Sequence, residues 1–212
     1  MAWKKRSKIV ELIATALVKT DAIQFGTFAM PDNRQSSYYV NLRGLPSFPG
    51  AYRVVTDALL AFVKDEVGLK NFDAVAGVPA AGLTFSSPLA LAIAKPMIYV
   101  RAGTRVDRTQ RMVEGTLKPG WKILLVDDLV TSGGTLLSSV AAIRQEGGEV
   151  KDAVALIDRM EGASERLQKG GVKLHSITDI LEVSDFLLSK SLISEENLKA
   201  ITKQIGRDLS KP

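Results

Sequence analysis

Residues 122–135 read KILLVDDLVTSGGT, and this stretch decides the fold class. Its uninterrupted apolar run predicts a strand over Lys122–Val126 that is buried on both faces. Two adjacent carboxylates, Asp127 and Asp128, are predicted to end that strand. The hydroxyl residues and glycines that follow predict a turn that opens a helix over Gly133–Gln145. A buried strand, a glycine-rich turn and a helix in this order are typical of an α/β protein.

The same alternation of short strands and helices continues on both sides of this stretch. The predicted strands are Asp73–Val78, Met97–Arg101, Val150–Ile157 and Val172–Thr178, and the predicted helices are Ala81–Ala94 and Ser164–Lys169. This alternation predicts a central parallel sheet flanked by helices on both faces. Ligands of such sheets bind at the carboxyl ends of the strands, so the functional residues are expected in the loops there.

Both ends of the chain predict structure outside the sheet. Apolar spacing predicts a helix over 5–19, and two short apolar runs, Phe25–Met30 and Tyr38–Leu42, predict a small hairpin-like hood. A second helix is predicted over 49–67, and a capped helix over 194–207. The expected layout is a single domain over 1–212, with a hood at about 1–48, a core at about 49–190 and a C-terminal helix within 191–212.

Composition excludes several kinds of chemistry. The chain has no cysteine, which excludes disulfides, thiolate catalysis and cysteine zinc sites. Its one histidine, His175, lies in an alternating stretch where an outward or capped strand residue is the ordinary interpretation. The net charge is +5, but no basic stretch is interleaved with aromatic residues, so we expect no nucleic-acid partner. No apolar run reaches the roughly 20 residues of a membrane helix, so we expect a cytoplasmic protein without a membrane partner.

The turn after the apolar strand has the chemistry of a cup for a phosphate monoester. Backbone N–H groups at the start of a helix attract a dianion. Thr131, Ser132 and Thr135 add hydroxyl donors, and Gly133 and Gly134 allow close approach of the backbone. The two carboxylates would repel phosphate and instead suit sugar hydroxyls or a divalent metal, so the stretch predicts a ribose phosphate site. The alternative is an ordinary strand–helix connection with an aspartate as the helix cap.

Residues 126–135 resemble the phosphoribosyl pyrophosphate signature of type I phosphoribosyltransferases, an apolar strand followed by two acids, two apolar residues, Thr, a small residue and glycine. The resemblance implies that family's fold, and binding of phosphoribosyl pyrophosphate by every residue from Asp127 to Thr135, including Leu129 and Val130. Catalytic roles fall on Asp127 and Asp128. It also implies Mg²⁺ that is carried by the substrate near Asp127 or Asp128, without direct side-chain ligation.

The N-terminal hood resembles the orotate branch of this family. FGTF at 25–28 and RQSSYYVN at 34–41 are similar to the segment that closes over the base in orotate phosphoribosyltransferases. The resemblance implies that Tyr38, Tyr39 and Thr131 bind orotate. An ordinary half-buried aromatic pair in a strand explains either ring alone equally well.

Two loops at predicted strand ends extend the resemblance. GVPAAG at 77–82 is similar to the loop that holds pyrophosphate through backbone N–H groups, which implies that Ala80 and Ala81 bind phosphoribosyl pyrophosphate. Arg159 lies in the run DRMEG, where the family's arginine holds the carboxylate of orotate with its planar fork. The alternative is a strand-end arginine that is paired with Glu161.

Residues 101–115, RAGTRVDRTQRMVEG, resemble the family's catalytic loop in position and in the final Glu-Gly. The resemblance implies that Arg101, Arg105 and Asp107 bind phosphoribosyl pyrophosphate and that Arg105 is catalytic. Ala102, Arg105 and Asp107 stand where lysine, the catalytic lysine and histidine are usual, and arginine cannot act as a general acid near neutral pH. The family's loop reaches a neighbouring subunit's site, so a homodimer is implied. A solvated loop is the structural alternative.

The resemblance implies transfer of ribose phosphate from phosphoribosyl pyrophosphate to orotate, giving orotidine monophosphate and pyrophosphate in pyrimidine biosynthesis. One alternative is a phosphoribosyltransferase for another base. A second is a non-catalytic regulator that binds phosphoribosyl pyrophosphate. The altered loop and the positive charge favour the regulator, whereas the lack of a helix-turn-helix module disfavours it.

Overall fold

The computed structural model describes residues 5–29, 35–101 and 111–206. The chain divides into two compact units, of which the first is discontinuous in sequence. Unit 1 consists of Met1–Val55 and Thr178–Pro212, and unit 2 consists of Thr56–Ile177.

The helices and strands follow the alternation expected from the sequence. The helices are α1 (Arg6–Lys19), α2 (Pro49–Phe62), α3 (Ala81–Ala92), α4 (Gly134–Gln145), α5 (Ala163–Lys169), α6 (Ile180–Ser189) and α7 (Glu195–Gln204). The strands are β1 (Ile23–Ala29), β2 (Gln35–Val40), β3 (Ala74–Gly77), β4 (Met97–Val100), β5 (Val113–Glu114), β6 (Lys122–Val130), β7 (Glu149–Asp158) and β8 (Lys173–Asp179). A 3-10 helix at Leu42–Ser47 precedes α2, and a π-helical turn at Val63–Val67 follows it.

The central sheet confirms the predicted fold class. Within the described residues its six strands lie in the order β5-β4-β3-β6-β7-β8. The pairs β3–β4, β3–β6 and β6–β7 are parallel, and the short β5 pairs with β4 in the antiparallel direction. Parallel neighbours place their carboxyl ends at one edge, which brings the loops after β3, β6 and β7 side by side.

The core of unit 2 explains why these strands form. Ile123, Leu124, Leu125 and Val126 of β6 are all buried, as expected for a strand that is covered on both faces. Phe85 of α3 is also fully buried. Removing side chains of this size from water stabilises the fold by about 1.5–3 kcal/mol each.

Unit 1 joins the predicted hood to helices from the other end of the chain. β1 and β2 form an antiparallel hairpin, with Ile23 opposite Val40. The guanidinium of Arg6 in α1 donates to both carboxylate oxygens of Glu182 in α6, at 2.5 and 2.8 Å. The predicted hairpin and C-terminal helix are therefore confirmed, but α7 ends at Gln204 rather than near 207.

The strand that decides the fold is longer than predicted. The carboxylates were expected to end it at Val126, whereas β6 continues to Val130. The expectation was wrong because Leu129 and Val130 pair with Ile157 and Asp158 of β7, so the ladder extends past the acids. Neither β5 nor α6 was predicted, whereas the second helix reaches Val67 as predicted, with its last turn in π-helical form.

Candidate active site

Three loops meet at the carboxyl edge of the sheet in unit 2. The backbone N–H of Val78, after β3, donates to the carbonyl oxygen of Val126 at 3.0 Å. The N–H of Arg159, after β7, donates to the carbonyl oxygen of Val130 at 2.9 Å. These two bonds hold the loops after β3 and β7 against β6, so the structure brings together the three segments that the sequence predicted.

The loop at Gly77–Gly82 packs closely against the acids of β6. A Cβ atom at Gly82 would lie 2.5 Å from the carbonyl oxygen of Val126 and 3.1 Å from Oδ1 of Asp127, so only glycine fits there. Ala80 is exposed, Ala81 is buried at the start of α3, and the peptide between Pro79 and Ala80 is cis. The backbone of this loop therefore borders the acid pair.

Asp127 is a buried carboxyl with an acidic neighbour. The residue is only 8% exposed. Its Oδ1 accepts a hydrogen bond from the backbone N–H of Asp128 at 3.0 Å. Burial first, and then the negative charge of Asp128, raise the pKa of Asp127 well above its usual range, while the N–H of Asp128 opposes the rise. Asp128 itself is half-buried. A ligand that brings hydroxyl donors or positive charge would relieve this electrostatic cost.

The turn after β6 presents backbone donors and hydroxyls beside the acids. Gly133 adopts φ +74°, a left-handed conformation that suits glycine, and α4 begins at the next residue. Gly133 has no side-chain acceptor, so the first N–H groups of α4 are not capped from this position. Thr131, Ser132 and Gly134 are half-buried and Thr135 is exposed, whereas Val130 is buried and Leu129 half-buried. An uncapped helix start of this kind is a general anion site.

Arg159 is paired with Glu161, which is the arrangement that the sequence left as the alternative to a ligand site. The Nε of Arg159 lies 2.9 Å from Oε1 of Glu161, and their side chains are 1% and 6% exposed. Between them Met160 adopts φ +60°, and its N–H donates to Oδ1 of Asp158 at 2.7 Å. Asp158 therefore stabilises the tight turn that holds the ion pair.

The remaining predicted residues are distributed over three places. Arg101 follows β4, is exposed, and lies 3.3 Å from Glu114 of β5 through its Nη1. Tyr38 and Tyr39 belong to unit 1, where Tyr38 is fully buried and Tyr39 stacks on Phe28 with ring centroids 5.5 Å apart. The three departures from the family's loop, Ala102, Arg105 and Asp107, lie outside the described residues.

Sequence reasoning missed Gly82 and Asp158 as members of this edge. Gly82 had a usable signal, because a glycine in the first turn of a predicted helix can mark a close backbone approach. Asp158 also had one, since an aspartate two residues before a turn position commonly accepts its backbone N–H. Neither signal identifies which partner the residue contacts.

The donor groups of the described residues suit a metal that arrives with a ligand. Within residues 5–29, 35–101 and 111–206, no group of three or more histidine and acidic side chains converges as a metal cage. Asp127 and Asp128 supply carboxylate oxygens, the ligands that Mg²⁺ prefers, but one or two carboxylates need further oxygens from phosphate or water. Over the same part of the chain, no helix has the length and apolar character needed to cross a bilayer.

Comparison with known proteins identifies the family. A model of the phosphoribosyl transferase domain matches residues 49–188. The orotate phosphoribosyltransferase of Cenarchaeum symbiosum is 38% identical over 192 residues, which are 91% of this chain and 96% of that protein. The chain belongs to the orotate phosphoribosyltransferase family.

Other similar proteins agree with this chain in fold. The orotate phosphoribosyltransferase of Sulfolobus acidocaldarius is 34% identical over 92% of this chain and 97% of its own. The crystal structure of the enzyme from Aeropyrum pernix has a TM-score of 0.75 at 34% identity, covering 86% of this chain and 99% of that one. The UMP synthase of Leishmania donovani has a TM-score of 0.85 at 27% identity, with 95% of this chain matching 43% of that protein.

Proposed function

We propose that this chain transfers the ribose phosphate of phosphoribosyl pyrophosphate to orotate, giving orotidine monophosphate and pyrophosphate in pyrimidine biosynthesis. The observation that carries the proposal is the meeting of three loops at one sheet edge, seen in the bonds of Val78 to Val126 and of Arg159 to Val130. They combine a backbone-donor loop, an acid pair with a hydroxyl-rich turn, and a buried arginine. The orotate phosphoribosyltransferases that resemble this chain over nearly their full length support the same reaction.

The segment from Asp127 to Thr135 is proposed to hold the ribose phosphate. The 5′-phosphate would accept hydrogen bonds from the first N–H groups of α4 and from the hydroxyls of Thr131, Ser132 and Thr135. Asp127 and Asp128 would accept hydrogen bonds from the ribose hydroxyls. When the anomeric carbon loses pyrophosphate, positive charge develops on the sugar, and the two carboxylates would stabilise it.

The departing pyrophosphate is proposed to be held by backbone and by cations. Ala80 and Ala81 lie in the loop that contacts β6, and their N–H groups would donate to its oxygens. Arg101 and Arg105 would offset its negative charge, although Arg105 cannot donate a proton as a lysine could. Asp107 would bind near the pyrophosphate through a bridging cation. Mg²⁺ carried by the substrate, near the acids of β6, would supply further neutralisation of the leaving group.

The base is proposed to be held by Arg159, Thr131 and the hood. A guanidinium matches a planar carboxylate with two parallel hydrogen bonds. Tyr38 is fully buried, so a contact of this residue with the base would come from its backbone, whereas the ring of Tyr39 is half-buried. We also propose a homodimer, which is supported by the resemblance of the loop at 101–115 to the family's loop. A cytoplasmic location and a single domain over 1–212 are proposed from the sequence.

The absorbance of orotate tests the proposed reaction. Purified protein with phosphoribosyl pyrophosphate and Mg²⁺ is expected to consume orotate and to release pyrophosphate in equal amounts. Adenine and uracil serve as matched acceptors without the carboxylate. Transfer to either of them but not to orotate would favour a phosphoribosyltransferase for another base, and binding of phosphoribosyl pyrophosphate without turnover would favour the regulator. Light scattering of the same preparation tests the dimer.

A further inference from the structure

The ion pair between Arg159 and Glu161 is a deeply buried pair of opposite charges at the candidate site in unit 2. The side chains are 1% and 6% exposed, and Nε of the arginine lies 2.9 Å from Oε1 of the glutamate. Charged side chains are almost never buried to this extent unless they are paired. Glu161 therefore neutralises the guanidinium that is proposed to meet the base.

The pair is built by the backbone of its own turn. The N–H of Met160 donates to Oδ1 of Asp158 at 2.7 Å, and the left-handed φ of +60° at Met160 reverses the chain direction. The side chains of residues 159 and 161 thereby come to lie together. The N–H of Arg159 is held by Val130 of β6 at 2.9 Å, which fixes the arginine side of the pair to the sheet.

Gly162, the residue after the buried pair, is next to open space. Gly162, which follows Glu161, is exposed, and an added Cβ there would meet no atom within 4 Å. A glycine in this position also has wide backbone freedom. A change of backbone conformation at Gly162 would let Glu161 move away from Arg159.

A carboxylate ligand cannot share this arrangement unchanged. Since the residue Arg159 is only 1% exposed, an incoming molecule reaches its guanidinium only after a covering group moves. Glu161 is one such group, bonded to the Nε edge. A second carboxylate placed beside Glu161 in this buried position would be repelled by it, because like charges disfavour each other's ionised form.

We propose that Glu161 is an exchangeable counter-ion of Arg159, which occupies the guanidinium in the free protein and is displaced by the carboxylate of the base. Glu161 then competes with orotate and with its nucleotide product. It weakens their binding and speeds release of the product. This role rests on the proposed function, and it acts through Arg159 rather than on the reacting atoms.

Two nucleotides that differ by a single carboxylate test the exchange. Orotidine monophosphate carries the carboxylate and uridine monophosphate lacks it, so the ratio of their dissociation constants isolates the contact with Arg159. In Glu161→Gln, the amide oxygen can still accept from Nε but the competing charge is removed. We expect orotidine monophosphate to bind about tenfold more tightly, within the usual range of coupling between sites. Binding of uridine monophosphate should stay unchanged.

Calorimetric titration of the wild type, Glu161→Gln and Glu165→Gln measures these constants. Glu165 is an exposed acid in the first turn of α5, so its variant removes the same charge nearby and should leave the ratio at the wild-type value. Glu161→Asp, with a shorter side chain, is the second variant if the amide does not fold, and it should raise the preference in the same direction. A ratio that is unchanged or smaller in the Glu161 variants would overturn the exchange.

Steady-state kinetics separate this proposal from the proposed function. Glu161→Gln should lower KM for orotate and also lower kcat, because the product leaves more slowly. A merely structural role would leave KM unchanged or raise it, and that result would count against the exchange. Failure of the wild type to consume orotate would instead reject the proposed reaction.

Discussion

The carboxyl ends of β6 and β7 hold their buried charges in opposite ways. Asp127 of β6 is buried beside Asp128, an acid of the same sign, and its pKa is raised as a result. Arg159, after β7, is even more deeply buried but lies 2.9 Å from the opposite charge of Glu161. The carboxyl end of β6 therefore accumulates negative charge, whereas the turn after β7 pairs its buried arginine with a glutamate.

The difference indicates what each turn requires from a ligand. At the end of β6 a ligand supplies the missing partners, namely hydroxyl donors and developing positive charge, so binding there relieves a cost that folding has imposed. At the end of β7 the protein already supplies the partner, and a ligand has to replace it. Substitutions that remove charge are accordingly expected to have opposite effects on stability in the two turns.

The largest expected effect is on stability, from Arg159→Leu. This change leaves Glu161 buried without its partner, and breaking a buried ion pair in this way costs about 3–5 kcal/mol of the free energy of unfolding. Urea denaturation measures the loss. The double variant Arg159→Leu/Glu161→Leu should recover most of it, since apolar residues replace a buried pair at little cost. A double variant no more stable than the single one would show that the pair is not the reason.

The second effect is on catalysis, from Asp127→Asn. The amide keeps an oxygen that can accept the N–H of Asp128, but it no longer stabilises positive charge on the sugar. We expect kcat with orotate to fall about 100- to 1,000-fold, as for the loss of one electrostatic group in a catalytic site. Asp73→Asn is the control, because Asp73 accepts the N–H of Lys122 at the opposite end of β6. Equal losses in both variants would contradict a special role for Asp127.

A pair of glycine substitutions compares the space around the two turns. In Gly82→Ala the new Cβ would lie 2.5 Å from the carbonyl oxygen of Val126, and such overpacking costs about 1–3 kcal/mol. In Gly162→Ala the Cβ has open space but the φ is +93°, so we expect a smaller cost of about 1 kcal/mol. Thermal denaturation measures both. A loss of phosphoribosyl pyrophosphate affinity should accompany the first change only.

The smallest effect is a gain of stability in Asp127→Asn. Because the pKa of Asp127 is raised in the folded state, the folded protein holds its proton more tightly than the unfolded chain does. The wild type therefore loses stability as the pH rises above the carboxyl's ordinary pKa and up to the raised value. The variant should be more stable than the wild type at neutral pH, because it has no carboxyl proton to lose.

Melting temperatures measured across a pH series check this sign. The advantage of Asp127→Asn should shrink as the pH falls towards the ordinary carboxyl pKa, where Asp127 is protonated in both states. A variant that is less stable than the wild type at neutral pH would show that the charged form of Asp127 is favoured by folding.

The sequence predicted the parts of the fold that depend on local apolar patterns. The buried strands β3, β6 and β7 each contain an apolar run, and the two strands of the hairpin in unit 1 overlap their predicted runs. The end of β6 was wrong because ladder pairing with β7 extends a strand past residues whose own preference is polar. The helix α6 was missed, although Asp179 and Glu182 form a capping box at its start.

The sequence predicted the residues of the candidate site, but not the ion pairing of Arg159 or the burial of Asp127. The chemistry of the residues from Asp127 to Thr135 predicted a ribose phosphate site, and the resemblance to the family signature implied the role of each residue. Whether Arg159 is paired with Glu161 depends on the left-handed turn at Met160, and a methionine gives no sequence signal for that conformation. The burial of Asp127 likewise depends on the loop from β3, which contacts it across the sheet.

The discontinuity of unit 1 has a consequence for synthesis of the chain. Arg6 and Glu182, which are bonded in unit 1, are 176 residues apart in sequence. During translation the first 55 residues leave the ribosome well before the segment from Thr178 that completes their unit. Unit 2, Thr56–Ile177, is continuous, so all of its residues are synthesised before the second segment of unit 1. Domains generally fold as units as the chain emerges. In the nascent chain, α1 and the hairpin consequently lack their later partners until the segment from Thr178 has been synthesised.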